Sequence, residues 1–478
     1  MAKHISNLAL ANFRSFGSHV EIPMRKITLL YGQNSAGKSS ILKSLLLLKQ
    51  SFESGLRSGR AGSRSMIFSG EHVDLGSYRT TVSGHDLSRQ VSVGVTMKSA
   101  PRSPSDEEPA QGDSVTWTMG ESPDELSLDL GLKGRRLRFY RWKADSRSRW
   151  LLDRSSIDAL LELLNPHETL LAQDDWVIST LNMGGGIVPV FSGNLFPRSL
   201  DGLVAVTGDR NAQPPPGVDI IKNRGSSHND DSIPTYRMDW ASESWMTLHQ
   251  EMFSSLRDTF ESLTHIGPLR REPQRFERYV PTEDQVVGAS GAQMLSHMFE
   301  RPSLVTQVNN YLGSMQLPYR IRVKPLGSQE TVGAVVYLTL VNQATGLEVS
   351  PSDVGVGYSQ VLPLIAQSVL SRGSIVCVEQ PELHLHPAMQ ARLGDMFIDQ
   401  ALGGNNVQFI IETHSESLML RILRRIRERR LTPEDVQVVY VDQAEGGDSV
   451  VHDLLIHESG EFLTEWPRGF FDERLEEI

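Results

Sequence analysis

Gly32-Gln33-Asn34-Ser35-Ala36-Gly37-Lys38-Ser39 fits the pattern G-x-x-x-x-G-K-[ST] at every position. The chemistry this pattern serves is phosphate binding. Backbone N–H groups of such a loop converge on phosphate oxygens, and the N-terminus of the following helix adds partial positive charge. Lys38 can reach the β- and γ-phosphates, and the Ser39 hydroxyl can ligate Mg²⁺. The flanking residues agree. Ile27-Thr28-Leu29-Leu30-Tyr31 reads as the strand before the loop, and residues 40–48 carry the apolar period of a helix after it. Gly32, Gln33, Asn34, Ser35, Ala36, Gly37, Lys38, Ser39 and Ser40 are thus the expected contacts of a nucleoside triphosphate.

Three later features narrow the chemistry. In Ile375-Val376-Cys377-Val378-Glu379, an apolar run ends on a carboxylate, the place where an acid can organise Mg²⁺. Ser39 and Glu379 are therefore the expected metal-site residues. Asp353-Val354-Gly355-Val356-Gly357-Tyr358-Ser359-Gln360 opens a helix, and its glycines permit close backbone approach to an anion. Gln360 lies 19 residues before Glu379, and His414 lies 35 residues after it. His414 ends the apolar run 407–411 and can hydrogen-bond a γ-phosphate and help position water.

This order of motifs resembles the ABC-class head ATPases related to SMC and OLD proteins. The resemblance rests on Asn12-Phe13-Arg14-Ser15-Phe16, the phosphate loop, the Gly355–Gln360 signature, Glu379-Gln380-Pro381-Glu382-Leu383-His384-Leu385-His386-Pro387, and Glu412-Thr413-His414-Ser415-Glu416. Three further stretches narrow it to stand-alone bacterial ATPases of that group: 73–77, 267–273 and 466–472. The match runs from residue 12 to 472 and is poor over 100–260. It implies an α/β fold, an ABC-type P-loop head with a mixed or parallel sheet, an antiparallel β lobe and a helical insertion. It implies ATP and Mg²⁺ as ligands, with Arg14, Gly355, Gly357 and Gln360 among the nucleotide contacts and Glu379, Gln380 and His414 as the catalytic set. It also implies a homodimer, or a higher oligomer, closed around ATP, and a separate nuclease or toxin effector of the kind found in antiphage defence.

Two departures qualify the resemblance. The long mid-chain coiled coil of SMC heads is missing, and only 64 residues follow His414, fewer than a Toprim nuclease domain needs. Any effector is expected on another chain. Gln380 stands where ABC-type enzymes carry a Glu that deprotonates water; an amide is a poor proton acceptor, so slow hydrolysis is expected. Glu382 and His414 are candidates to compensate in part. A nucleotide-gated scaffold with negligible turnover and a DNA-repair-type ATPase are the alternatives.

The elements that must position these residues divide into three stretches. Residues 1–152 read as an N-terminal ATPase lobe with antiparallel strands at 91–96, 115–119, 126–130 and 137–142, and with a polar loop at 100–106. Residues 153–265 read as an insertion with helices at 157–164 and 245–263 and a long loop at 210–231. Residues 266–478 return to α/β character, with strands at 321–323, 335–341, 374–378 and 407–411.

Composition sets the outer bounds. With 478 residues, 39% hydrophobic, the chain can bury a substantial core. Its single cysteine, Cys377, excludes an intrachain disulfide and suits a reducing compartment. No signal peptide and no apolar stretch of about 18 residues is present, so a cytoplasmic protein without a membrane span is expected. The net charge of −11 argues against coating nucleic acid through bulk charge. Leu420–Arg430 nonetheless forms a dense basic helix face, either solvated or a nucleic-acid contact. His384 and His386 lack further ligands at metal spacing, which favours a structural or dimer-contact role over zinc.

Overall fold

The computed structural model describes residues 4–57, 66–97, 113–121, 126–132, 135–144, 147–152, 156, 159–160, 176–180, 190–192, 199–201, 203–207, 218–220, 235–238, 250, 254–272, 274–281, 285–326 and 335–467. The chain divides into two units. One holds residues 1–5, 20–45 and 261–478; the other holds 6–19 and 46–260.

The first unit is built on a six-stranded sheet. Its strands are β1 (Ile27–Gly32), β2 (Thr264–Ile266), β3 (Ile375–Glu379), β4 (Gln408–Glu412), β5 (Val436–Gln443) and β6 (Ser449–Leu454). The spatial order is β2-β3-β4-β1-β5-β6, parallel except for the β5–β6 pair. Every residue of β1 is buried, as are the first four of β3 and all of β4. Such continuous apolar runs are what a parallel sheet covered on both faces requires. The covering helices include α1 (Lys38–Arg57), α2 (Gly357–Leu370), α3 (Pro387–Leu402) and α4 (Glu416–Arg427). Phe397 of α3 meets Phe409 of β4 edge to face, with ring centroids 4.9 Å apart. At the other end Trp466 packs edge-on against Tyr31 of β1 and Tyr440 of β5. An antiparallel hairpin, Tyr319–Leu326 with Val335–Asn342, completes the unit together with Glu277–Arg278 and Glu348–Val349.

The register fixes what lies beside what. Glu412 pairs with Leu30 of β1 on one side and with Glu379 of β3 on the other. Both acids thus end neighbouring strands at the same level. Glu412 is one strand from the phosphate-loop strand, and Glu379 is two strands away.

The second unit contains the expected antiparallel lobe. Strands Val91–Met97, Ser114–Met119, Leu126–Leu132 and Arg135–Ala144 pair in sequence order, and Arg147–Leu152, Val190–Ser192 and Ser199–Asp201 extend the sheet. Val91, Val93 and Val95 point to a core that also buries Trp117 and Phe139 completely. Phe52 stacks on Phe260 at 5.1 Å and meets Trp117 edge-on.

The expected helical insertion at 153–265 is corrected in part. Trp176–Thr180, Leu203–Thr207, Val218–Ile220 and Thr235–Met238 are strands of a second antiparallel sheet. Trp-Val-Ile-Ser-Thr and Leu-Val-Ala-Val-Thr are rich in β-branched residues, which favour the pleated conformation. Helix does occupy 254–262, inside the expected 245–263. The expected loop at 100–106, most of 157–164, most of 210–231 and residues 468–472 lie outside the described residues. No helix among the described residues is long and apolar enough to cross a membrane.

Candidate nucleotide site

The phosphate loop joins β1 to α1 as the pattern requires. Gly32 has φ +137, and a Cβ there would lie 2.0 Å from the Val441 carbonyl oxygen. Only glycine admits that approach of β5 to the loop. Ser35 and Gly37 also take positive φ, 64 and 114. Gln33, Asn34 and Ser35 are exposed at the rim, while Gly32, Ala36, Lys38 and Ser40 are buried. The loop is held from below: Ser449 of β6 donates its hydroxyl to the Ala36 carbonyl at 2.5 Å, and Ser40 N–H donates to Gly37 O at 2.9 Å.

Lys38 is 3% exposed and donates to the carbonyls of Gly32 at 2.9 Å and Gln33 at 2.7 Å. Its ammonium therefore sits inside the arch of the loop. Burial lowers its pKa, and the charges of Glu412 and Glu382 oppose that shift.

Three carboxylates line the strand ends, and each is used differently. Glu412 accepts the Ser39 hydroxyl at 2.9 Å through Oε1. Its Oε2 is buried and has no hydrogen-bond partner. Burial raises its pKa, the Ser39 hydrogen bond opposes that, and the Glu379 charge adds to it. Glu379 meets His265 Nε2 at 2.8 Å, with both side chains about 15% exposed. Glu382 accepts the Thr413 hydroxyl and the His414 N–H, both at 2.7 Å. Burial raises the Glu382 pKa against those hydrogen bonds. Each Glu382 oxygen thus accepts one hydrogen bond from the turn after β4.

Arg270 supports the turn after β3. It is 5% exposed and donates to the carbonyls of Glu379 at 3.0 Å and Gln380 at 3.1 Å. Burial pushes its pKa down to about 10, against the charges of Glu382 and Glu379. Gln380 itself has φ 44, and its N–H donates to the Glu412 carbonyl at 2.8 Å. Burial lowers the His414 pKa, with the Lys38 charge adding to it, so the imidazole is neutral near pH 7. A neutral imidazole has one nitrogen able to accept a proton.

The structure therefore brings Gly32–Ser40, Glu379, Gln380 and His414 to one end of one sheet. Gly355 and Gly357 lie elsewhere in the unit, at the start of α2. Gly355 and Val356 are exposed, and a Cβ on Gly357 would lie 3.4 Å from the His384 carbonyl oxygen. Gln360 is buried at 8% exposure, with Oε1 unpaired, so the exposed residues of that motif are Asp353, Gly355 and Val356. Arg14 belongs to the other unit, in the Phe13–Phe16 turn at φ 54, where its N–H donates to the Thr81 carbonyl. His265 and Glu412 were not picked out as site residues by spacing. Glu412 ends the apolar run 407–411 and His265 lies inside the short strand Thr264–Ile266, so their partners register only once strand order is known.

Metal fit was tested on the same groups. Among the described residues no cluster of three or more His, Cys, Asp or Glu side chains is placed to hold a metal. The His386 ring caps α3 by accepting from the Ala388 N–H. Hard oxygen donors at Ser39, Glu412 and Glu379 do suit Mg²⁺, which binds through one or two carboxylates with phosphates and waters completing its shell.

Four of the six arginines at Leu420–Arg430 are ion-paired, with three carboxylates between them. Arg421 and Arg425 pair with Asp395, Arg424 and Arg425 with Glu428, and Arg430 with Asp399. Ion-paired arginines are poorly placed to release counterions from a nucleic acid.

Comparison with known proteins agrees with this geometry. Residues 4–82 match a family described as "AAA ATPase domain". Residues 249–420 match one described as "AAA domain, putative AbiEii toxin, Type IV TA system", and residues 431–478 match a protein family of unknown function, DUF3696. No curated protein matches the chain. Among solved structures, an SMC head bound to the C-winged helix domain of ScpA is 13% identical, covers 95% of this chain and 99% of that one, and has a TM-score of 0.44. The SMC head domain from Thermotoga maritima is 10% identical, with coverage of 95% and 100% and a TM-score of 0.39. An SMC head with an extended coiled coil, bound to the C-terminal domain of ScpA derived from Pyrococcus furiosus, is 13% identical, with coverage of 95% and 96% and a TM-score of 0.40. The chain thus resembles AAA-type ATPase domains over 4–82 and 249–420, the two stretches that carry the phosphate loop and the strand-end acids.

Proposed function

We propose that this chain binds ATP with Mg²⁺ and hydrolyses it slowly, and that two copies close around two nucleotides to control a separate effector. The observation that carries the nucleotide reading is the loop itself. Lys38 is anchored inside the arch, the backbone N–H groups open at a helix N-terminus, and Ser39 faces a carboxylate. ATP hydrolysis is supported by the two AAA family matches.

Closure by two copies is supported by the start of α2. Gly355 has nothing within 4 Å of where its Cβ would be, and Val356 beside it is 55% exposed. In this reading the Gly355–Gly357 backbone of one copy meets the γ-phosphate held by the other. Slow turnover is supported by Gln380 at the water-activating position. Control of an effector, as in defence against phage, is supported by the toxin–antitoxin family description over 249–420. A cytoplasmic site of action belongs to the same reading. The second reading, a scaffold that binds ATP without turnover, rests on Gln380 as well.

Steady-state phosphate release and nucleotide binding by the wild type and Lys38→Ala decide among these. Binding and release that both vanish in Lys38→Ala support the ATPase. Binding without any Lys38-dependent release leaves the scaffold. Binding equal in the two proteins overturns the nucleotide reading.

A further inference from the structure

Glu412 differs from the other acids at the strand ends. It is 6% exposed, one oxygen takes the Ser39 hydroxyl, and the other has no partner. A buried carboxylate oxygen without a donor is costly, and such groups are commonly explained by an ion or ligand they serve. Glu379 occupies the position usually given to the metal-organising acid, but it lies one strand further from β1, about 5 Å on, and His265 engages it. Glu382 has both oxygens hydrogen-bonded by the turn after β4, so neither is left without a donor as Glu412 Oε2 is.

We infer that Glu412 and Ser39 together hold the cation of a bound nucleotide–Mg²⁺, with Glu412 Oε2 as the oxygen available to it. Glu379, tethered by His265, then reaches the waters of that cation from the neighbouring strand. This assignment rests on the nucleotide reading and moves the direct metal contact from β3 to β4. The donor set fits Mg²⁺: a hydroxyl and a carboxylate, with phosphate oxygens and water for the remainder. With only a hydroxyl and carboxylates supplied by the protein, phosphate oxygens of the nucleotide would complete the shell of the cation.

The test uses the full chain, a fluorescent ATP analogue and a Mg²⁺ titration read by anisotropy. Wild type, Glu412→Gln, Glu379→Gln and Lys38→Ala are compared, with EDTA as the metal-free arm. The expected result is a Mg²⁺ midpoint at least about 10-fold higher in Glu412→Gln, a smaller rise in Glu379→Gln, and unchanged or tighter binding of the metal-free analogue in Glu412→Gln. The last follows from removing a negative charge beside the triphosphate. Glu412→Asp, which keeps the charge and shortens its reach, gives an intermediate midpoint and carries the test if Glu412→Gln fails to fold by circular dichroism. An unchanged midpoint in both Glu412 variants, or a larger shift in Glu379→Gln, overturns the assignment. Wild-type binding no tighter than that of Lys38→Ala overturns the nucleotide reading instead, and this assignment falls with it.

Discussion

Arg270→Met separates turnover from stability. The guanidinium makes two charge-assisted hydrogen bonds, to the Glu379 and Gln380 carbonyls, and each is worth about 1.5–3 kcal/mol. Against this stands the burial of a cation at 5% exposure whose Nε has no partner, a penalty of several kcal/mol that methionine does not carry. The net loss of stability is therefore small, about 1–2 kcal/mol, or a fall of roughly 2–8 °C in Tm for a unit of this size. The effect on catalysis is larger. Gln380 is held at φ 44, a conformation that costs about 1 kcal/mol or more and persists only while its surroundings fix it. Without Arg270 the Glu379–Gln380 turn relaxes, and a displacement of about 1 Å at a reacting group can cost 10²-fold. We expect kcat to fall about 10- to 100-fold, with KM for ATP little changed because the loop contacts of Lys38 are untouched. Arg270→Lys, which keeps one donor, should fall between. Phosphate release across an ATP titration, run beside thermal melts, measures all of this. A kcat like the wild type's with the expected drop in Tm refutes the reasoning, as does a raised KM with kcat preserved.

Three other changes test separate parts of the site and fold. Gly32→Ala places a Cβ 2.0 Å from the Val441 carbonyl at φ +137, so nucleotide affinity should drop more than about 10-fold, and anisotropy titration should show it. Gln380→Glu restores a proton acceptor and should preserve or raise steady-state phosphate release by up to about 10²-fold; a large fall would sink the water-activating assignment. Glu53 is brought to about 2, because hydrogen bonds from His72 and Lys49 outweigh a burial that alone raises it. Its folded pKa is depressed, so its contribution is present above the ordinary value of 4.5 and is lost as pH falls toward 2. Glu53→Gln should flatten that acid limb in thermal melts taken between pH 5 and pH 2.5, and an unaltered limb would count against the pairing.

What could be seen in advance was local. The phosphate loop announces itself because its glycines, lysine and serine are contiguous, and Glu379 and His414 stand at the ends of apolar runs. The partners of these residues could not be seen, because partnership depends on strand order. Ser39 meets Glu412 only because β4 lies beside β1, and His265 meets Glu379 only because β2 flanks β3. Nothing local marks Arg270 as turning inward to two carbonyls. The basic face of α4 was misleading in the opposite sense. Its arginines were visible, while Asp395 and Asp399, which pair with Arg421, Arg425 and Arg430, come from α3. The short strands of 176–238 escaped because strands of three to five residues leave little alternation to read.

The placement of β1 also sets an order of events during synthesis. Its neighbours are residues 408–412 and 436–443, so the strand that delivers Lys38 finds no partner until several hundred further residues have been made. At ribosomal rates of about 5–20 residues per second the wait is roughly 20–80 s. Pairings this remote in sequence are also slow to close. The antiparallel unit between them, whose strands pair with near neighbours, can form during that wait. The sheet that frames the phosphate loop thus cannot close before residues 408–412 exist, and chains stalled before them would lack the strand that carries Glu412.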